Sequence, residues 1–173
     1  MKPILSTERL YLREFLLEDV SFIIELLNSP GWIQFIGDRN VHSKEGAKKY
    51  LLNGPLKSYK ENGFGLSMVV RKDDELPIGM CGLLKRDTLK HPDLGFAFLP
   101  EFSGQGYAFE ITHALLSFAS ENWKIQKVSA ITLPNNSRSI RLLEKLGFQF
   151  ESKFRLAPEK EELHLYSTSL VIV

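Results

Sequence analysis

The feature that most constrains this chain is a doubled pattern of strand, polar turn and helix. Leu94-Gly95-Phe96-Ala97-Phe98-Leu99 has the apolar character of a strand, Ser103-Gly104-Gln105-Gly106-Tyr107-Ala108 is a turn, and Phe109 to Trp123 reads as a helix. Downstream, Val128 to Leu133 is β-branched and apolar enough for a buried strand. It runs into Pro134-Asn135-Asn136-Ser137-Arg138-Ser139, and a helix over Ile140 to Leu146 stops at Gly147, a natural C-terminal glycine. Phe148 begins another strand. Each unit therefore sets polar loop groups at the C-terminal end of a strand.

The first turn carries its own chemistry. Two glycines one residue apart let the backbone turn tightly and approach a ligand closely. The helix that follows leaves its first N–H groups unpaired and pointing back at the turn. Such a turn binds phosphate or pyrophosphate through backbone donors and the positive helix end. Gly-x-Gly is also an ordinary turn, so the second unit is what gives it weight.

The rest of the chain reads as one continuous domain over residues 1–173. Arg9 to Glu14 alternates like a half-buried strand. Leu17 to Asn28 places Val20, Ile23, Ile24 and Leu27 on one helical stripe that ends at Asn28-Ser29-Pro30-Gly31. Ser43 is a plausible cap for a helix to about Lys60, which Pro55 should kink or interrupt. Phe64 to Arg71 and Leu76 to Lys85 read as a hairpin, and Glu162 to Val171 as a last strand. Early strands followed by βα units predict an α/β fold, a mixed sheet with helices on both faces.

Charge and cysteine content narrow the function. Lys+Arg 22 against Asp+Glu 21 leaves a net charge of +1, which argues against a nonspecific nucleic-acid binder. The single Cys81 cannot pair within the chain and favours a reducing compartment. There is no signal-peptide pattern and no apolar run of membrane-spanning length, so a cytoplasmic location without membrane association is expected. His42, His91, His113 and His164 show no metal-ligand spacing, and no metal is expected.

The combination resembles a known family. Gly104-Gln105-Gly106-Tyr107-Ala108 with Glu110, then Asn136-x-x-Ser139 and Glu144-Lys145-Leu146-Gly147-Phe148, is similar to the GNAT superfamily of acyl-CoA N-acyltransferases. Thr7-Glu8-Arg9-Leu10-Tyr11-Leu12-Arg13 with Glu18-Asp19 resembles the branch of the ribosomal-protein N-terminal acetyltransferases. The resemblance runs from Thr7 to about Tyr166. It implies a single GNAT-like domain with a mostly antiparallel sheet of six or seven strands. It also implies acetyl-CoA as cosubstrate and an amine acceptor, either a protein N-terminus or a small molecule, with the protein a monomer or homodimer.

By the same resemblance, the backbone of Phe96, Phe98 and Leu99 would bind the pantetheine arm. A backbone N–H near Phe98 or Leu99 would face the thioester oxygen, where a donor in a dry site is worth about 3 kcal/mol. The side chains of these residues also read as core. Gly104, Gln105, Gly106, Tyr107 and Ala108 would cradle the pyrophosphate. Ser103 departs from the Arg or Gln common at the start of this motif. Asn136 would bond pantetheine, and Ser139 would return a proton to the thiolate. Both are also favoured helix caps. Leu143 stands where many members carry a tyrosine for that proton, which keeps open a non-catalytic acyl-CoA sensor. Trp32, Phe35, Ile36 and Tyr59 fall where the acceptor groove is built. Asp93, Glu101, Glu110 and Glu159 are the candidate general bases. An α-amine needs little help, because about one in ten molecules is neutral at pH 7, whereas a lysine-like amine needs a real base.

Overall fold

The computed structural model describes residues 1–170. Its centre is an eight-stranded sheet in the order β1-β2-β3-β4-β5-β6-β8-β7. The strands are β1 (Leu5–Ser6), β2 (Leu10–Arg13), β3 (Leu66–Arg71), β4 (Leu76–Leu84), β5 (Asp93–Phe98), β6 (Lys127–Thr132), β7 (Gln149–Phe154) and β8 (Leu163–Ser169). All described pairings are antiparallel except β5 with β6. The count exceeds the expected six or seven because β1 pairs Leu5 with Leu12 and Ser6 with Tyr11, a rung too short for periodicity to show. The last strand ends at Ser169, and position 171 of the expected strand lies outside the described residues.

Among the described residues six α-helices accompany the sheet: α1 (Val20–Leu27), α2 (Pro30–Phe35), α3 (Lys44–Asn53), α4 (Pro55–Asn62), α5 (Tyr107–Trp123) and α6 (Ser137–Lys145). The expected helix from Ser43 to about Lys60 is interrupted at Gly54–Pro55 into two helices, the second of the two outcomes expected of Pro55. Ser43 caps the first by accepting the Gly46 N–H at 3.0 Å. Gly54, at φ −108° and ψ −101°, breaks the run, and Pro55 starts the second, where its missing N–H costs nothing. Pro30 likewise opens α2, although Asn28-Ser29-Pro30-Gly31 reads as a helix stop.

Residues Ile78 to Leu83 are all buried, although their side chains alternate between faces, so both faces of the sheet are covered. Helix α5 packs across β1, β2, β4 and β5. The other face of the same strands carries Met80, Leu84, Asp93 and Gly95, which share one side by register and look onto a cavity beneath α2 and α4. Tyr59 pins α4 to the sheet. Its hydroxyl accepts the Phe15 N–H at 3.0 Å and donates to the Leu66 carbonyl, and burial pushes the phenol up to about 12.

Candidate active site

The sheet opens at the strands singled out by sequence. β5 and β6 are joined at one register pair, Asp93 with Ser129, where the Ser129 N–H donates to the Pro92 carbonyl at 2.8 Å. Beyond it no further pair joins them among the described residues. On its other edge β5 is laddered to β4, and the Leu99 N–H donates to the Ile78 carbonyl at 2.9 Å. Backbone groups alternate along a strand, so Gly95, Ala97 and Leu99 face β4, while Phe96 and Phe98 face the gap. An extended ligand with amides can bond the Phe96 and Phe98 backbone as another strand would. The expected donor at Leu99 is corrected: its N–H is committed to the sheet, which leaves Phe98. The half-buried Phe96 and Phe98 side chains pack against the core.

Past the end of β5, the turn has the expected shape. Gly104 (φ +75°) and Gly106 (φ +83°) are both left-handed, and no side chain caps α5. A Cβ at Gly104 would meet nothing within 4 Å, so the turn presents open space beside free helix donors. This cradle fits a pyrophosphate group. Gln105 is exposed, and its Nε2 donates back to the Glu101 carbonyl at 2.9 Å. Tyr107 is buried, and the half-buried Ala108 gives its carbonyl to Thr112 Oγ1.

Glu110 is engaged beside this turn by Thr7 and Arg9. One carboxylate oxygen accepts from Thr7 Oγ1 at 2.6 Å and the Arg9 N–H at 2.9 Å, and the other from Arg9 Nε at 2.7 Å. Partial burial pushes the carboxyl up, but these bonds outweigh it and hold the group below the usual range. It is absent from the cavity wall, as are Glu101 and Glu159. Glu110 holds the N-terminal hairpin to α5, and Glu101 and Glu159 are exposed side chains off the wall, Glu159 directly preceding the wall residues Lys160 and Glu161.

The cavity measures about 800 Å³. Its wall includes Trp32, Phe35 and Ile36 from the α2 region, Tyr50 from α3, and Asn136 and Ser139 at the start of α6. Tyr59, expected there, instead serves as the peg described above. Asn136 Oδ1 accepts the Ser139 N–H at 3.3 Å, so capping is real, while the half-buried Ser139 hydroxyl and Asn136 Nδ2 have no protein partner among the described residues. Leu143 is buried in the core and off the wall. Trp32 Nε1 is buried without a partner among the described residues.

Asp93 alone of the four candidate bases lines the cavity. Burial pushes its carboxyl up, and the Arg86 guanidinium, bonded through Nε to both oxygens, opposes that. Glu61 and Glu161 also reach the wall. Sequence reading missed both, because only the folded chain brings α4 and the loop before β8 together. No group of three or more His, Cys, Asp or Glu among the described residues can hold a metal ion. No helix there is long and apolar enough to cross a membrane.

Known proteins share this fold. A family model described as the acetyltransferase (GNAT) domain matches residues 9–149. The Bacillus subtilis protein named uncharacterized N-acetyltransferase YoaA is 27% identical, over 90% of this chain and 88% of its own. Among solved structures, a ribosomal L7/L12 alpha-N-protein acetyltransferase in complex with coenzyme A superposes with a TM-score of 0.81 at 17% identity, covering 98% of both chains. A spermidine N-acetyltransferase chimera from Vibrio cholerae does so at 0.76 and 18% identity, covering 94% of this chain and 96% of its own. Identities this low speak to the fold alone, and the two solved structures are named for unlike acceptors.

Proposed function

The chain belongs to the GNAT acetyltransferase family, and on that premise we propose that it moves an acetyl group from acetyl-CoA to an α-amine, most simply that of a peptide or protein. The observation that carries this reading is the single-bridge opening between β5 and β6, with a phosphate-fitting turn at one end and a cavity at the other. Phe96 and Phe98 would bond the pantetheine amides. The Phe98 N–H would donate to the thioester oxygen as charge grows on it. The neutral amine nitrogen bonds the acetyl carbon, the carbon–sulfur bond breaks, and the proton that the nitrogen sheds ends on the thiolate. Ser139, a hydroxyl on the wall at the start of α6, would relay it, giving its own proton to the thiolate and taking the one the amine sheds.

The choice of an α-amine rests on the bases. The one buried carboxylate on the wall, Asp93, has both oxygens bonded by Arg86. An amine with pKa near 8 is neutral often enough without a dedicated base, whereas a polyamine nitrogen is not. The test is thiol release from acetyl-CoA with peptides, polyamines, aminoglycosides and free amino acids, followed against pH. Activity with α-amines should rise through about pH 7–8 as the substrate deprotonates. Faster turnover of polyamines or aminoglycosides than of every peptide would reject this acceptor class. Acetyl-CoA binding without transfer to any amine would favour the sensor reading.

A further inference from the structure

Arg86 divides its donors unequally. Its Nε donates to both oxygens of Asp93, at 3.0 and 3.2 Å. The Asp93 side chain is 2% exposed, whereas that of Arg86 is 31% exposed and lines the cavity. Among the described residues, Nη1 and Nη2 have no protein partner. A guanidinium held at Nε by a buried carboxylate has a fixed plane. Its remaining edge is the planar fork that matches a carboxylate with two parallel hydrogen bonds.

Charge on the wall points the same way. Asp93 is committed to Arg86, Glu61 lies 3.9 Å from Lys57, and Asp38 lies 3.7 Å from His42. The His42 contact is ionic only when that ring is protonated, so Asp38 and Glu161 are the two wall carboxylates without a lasting cationic partner among the described residues, against three unpaired cations, Arg39, Lys85 and Lys160. The turn at Gly104–Gly106 is not on this wall, so these cations are not part of the phosphate cradle. A polycationic acceptor would meet more unpaired cations than carboxylates.

The geometry points to an acceptor that carries a carboxylate near its amine, docked on the Nη edge of Arg86, with Asp93 as the positioning residue that orients the guanidinium. This rests on the acetyltransferase reading above and deepens it. An acidic side chain beside a peptide N-terminus and the C-terminal carboxylate of a short peptide offer the same chemistry.

The test uses matched acceptors at about pH 8.5, where α-amines are largely neutral. One pair is Ser-Asp-Ala amide against Ser-Asn-Ala amide, and the other is Ser-Ala with a free against an amidated C-terminus. The carboxylate member should win in kcat/KM by about tenfold or more in at least one pair, the scale of a charge-assisted hydrogen bond. The pair that responds identifies the source of the carboxylate. In Arg86→Gln the preference should collapse, through KM of the carboxylate acceptor and not through kcat. Because that variant leaves Asp93 without its counter-charge, Arg86→Met/Asp93→Leu is run beside it and should lose the same preference in a folded protein. Equal or reversed preference in the wild type, faster turnover of spermidine, or a preference that survives both variants overturns the inference. If no amine releases thiol while calorimetry shows acetyl-CoA bound, the acetyltransferase reading falls first, and this inference with it.

Discussion

The Arg9 guanidinium meets the Glu110 carboxylate at 2.7 Å across 101 residues of sequence. It also donates to the Gln105 carbonyl at 3.0 Å and lies over the Tyr107 ring, 4.4 Å from its centroid. The N-terminal hairpin is thereby bonded to the glycine turn and to the first turn of α5. Arg9 offsets a negative charge beside the cradle and draws the Gln105 carbonyl toward itself. In Arg9→Gln, KM for acetyl-CoA should rise about fivefold, because a half-exposed pair contributes only ~1 kcal/mol. S-acetylpantetheine, which lacks the pyrophosphate, should show no such rise. Equal losses with both donors would reduce Arg9 to a purely structural role.

Glu110 gives that clamp a pH dependence. Its folded pKa is depressed below the ordinary 4.5, so its stabilisation is complete above that value and is lost as pH falls through the depressed one. Glu110→Gln should lower Tm at pH 7. The gap to wild type should begin to narrow as pH falls below 4.5 and close as it passes through the depressed value. A gap that stays constant down to pH 3 would mean that charge is not what Glu110 contributes.

Gly106→Asp adds a Cβ at a left-handed position, 3.4 Å from Arg9 Nη2, and a negative charge in the cradle. Backbone strain should cost about 1–2 kcal/mol of stability. Calorimetry should show CoA affinity down by tenfold or more in the folded variant. Undiminished affinity would remove the pyrophosphate from this turn.

Asn136 and Ser139 should separate stability from turnover. Asn136→Ala loses an observed cap and should cost about 1 kcal/mol. Ser139→Ala should leave stability nearly unchanged and lower kcat by about 10²-fold, the lower end for a group that moves a proton. Unchanged kcat would leave Ser139 as a residue of the helix start and no more.

Local signals carried much of this architecture. Gly104, Gly106 and Gly147 mark boundaries because each adopts a positive φ that other residues resist. The β3–β4 hairpin and the Ser43 cap fall within a few residues of their expected places. Pairing across distance left no such trace. Glu110 reads as a helix-start acid, and only the fold shows that Thr7 and Arg9 occupy it. Asp93 reads as a free candidate base, yet Arg86 from the preceding loop binds both its oxygens. Glu161 reaches the wall where Glu159 does not, a difference set by how the loop before β8 turns. Pro30 reads as a stop because proline is common both just after one helix and at the start of another, and the sequence around it does not distinguish the two.

The single bridge between β5 and β6 divides the sheet into two blocks, β1 to β5 and β6 to β8, with little backbone bonding between them. A donor molecule lying along Phe96 and Phe98 would serve as mortar in that joint. At a concentration a hundredfold above Kd it would add about 2.7 kcal/mol to the cohesion of the whole protein. Amide exchange in the later block should slow when the joint is filled. When acetyl donor runs short, the joint should loosen and expose the chain to proteolysis, so the protein's lifetime would follow the supply of the molecule it consumes.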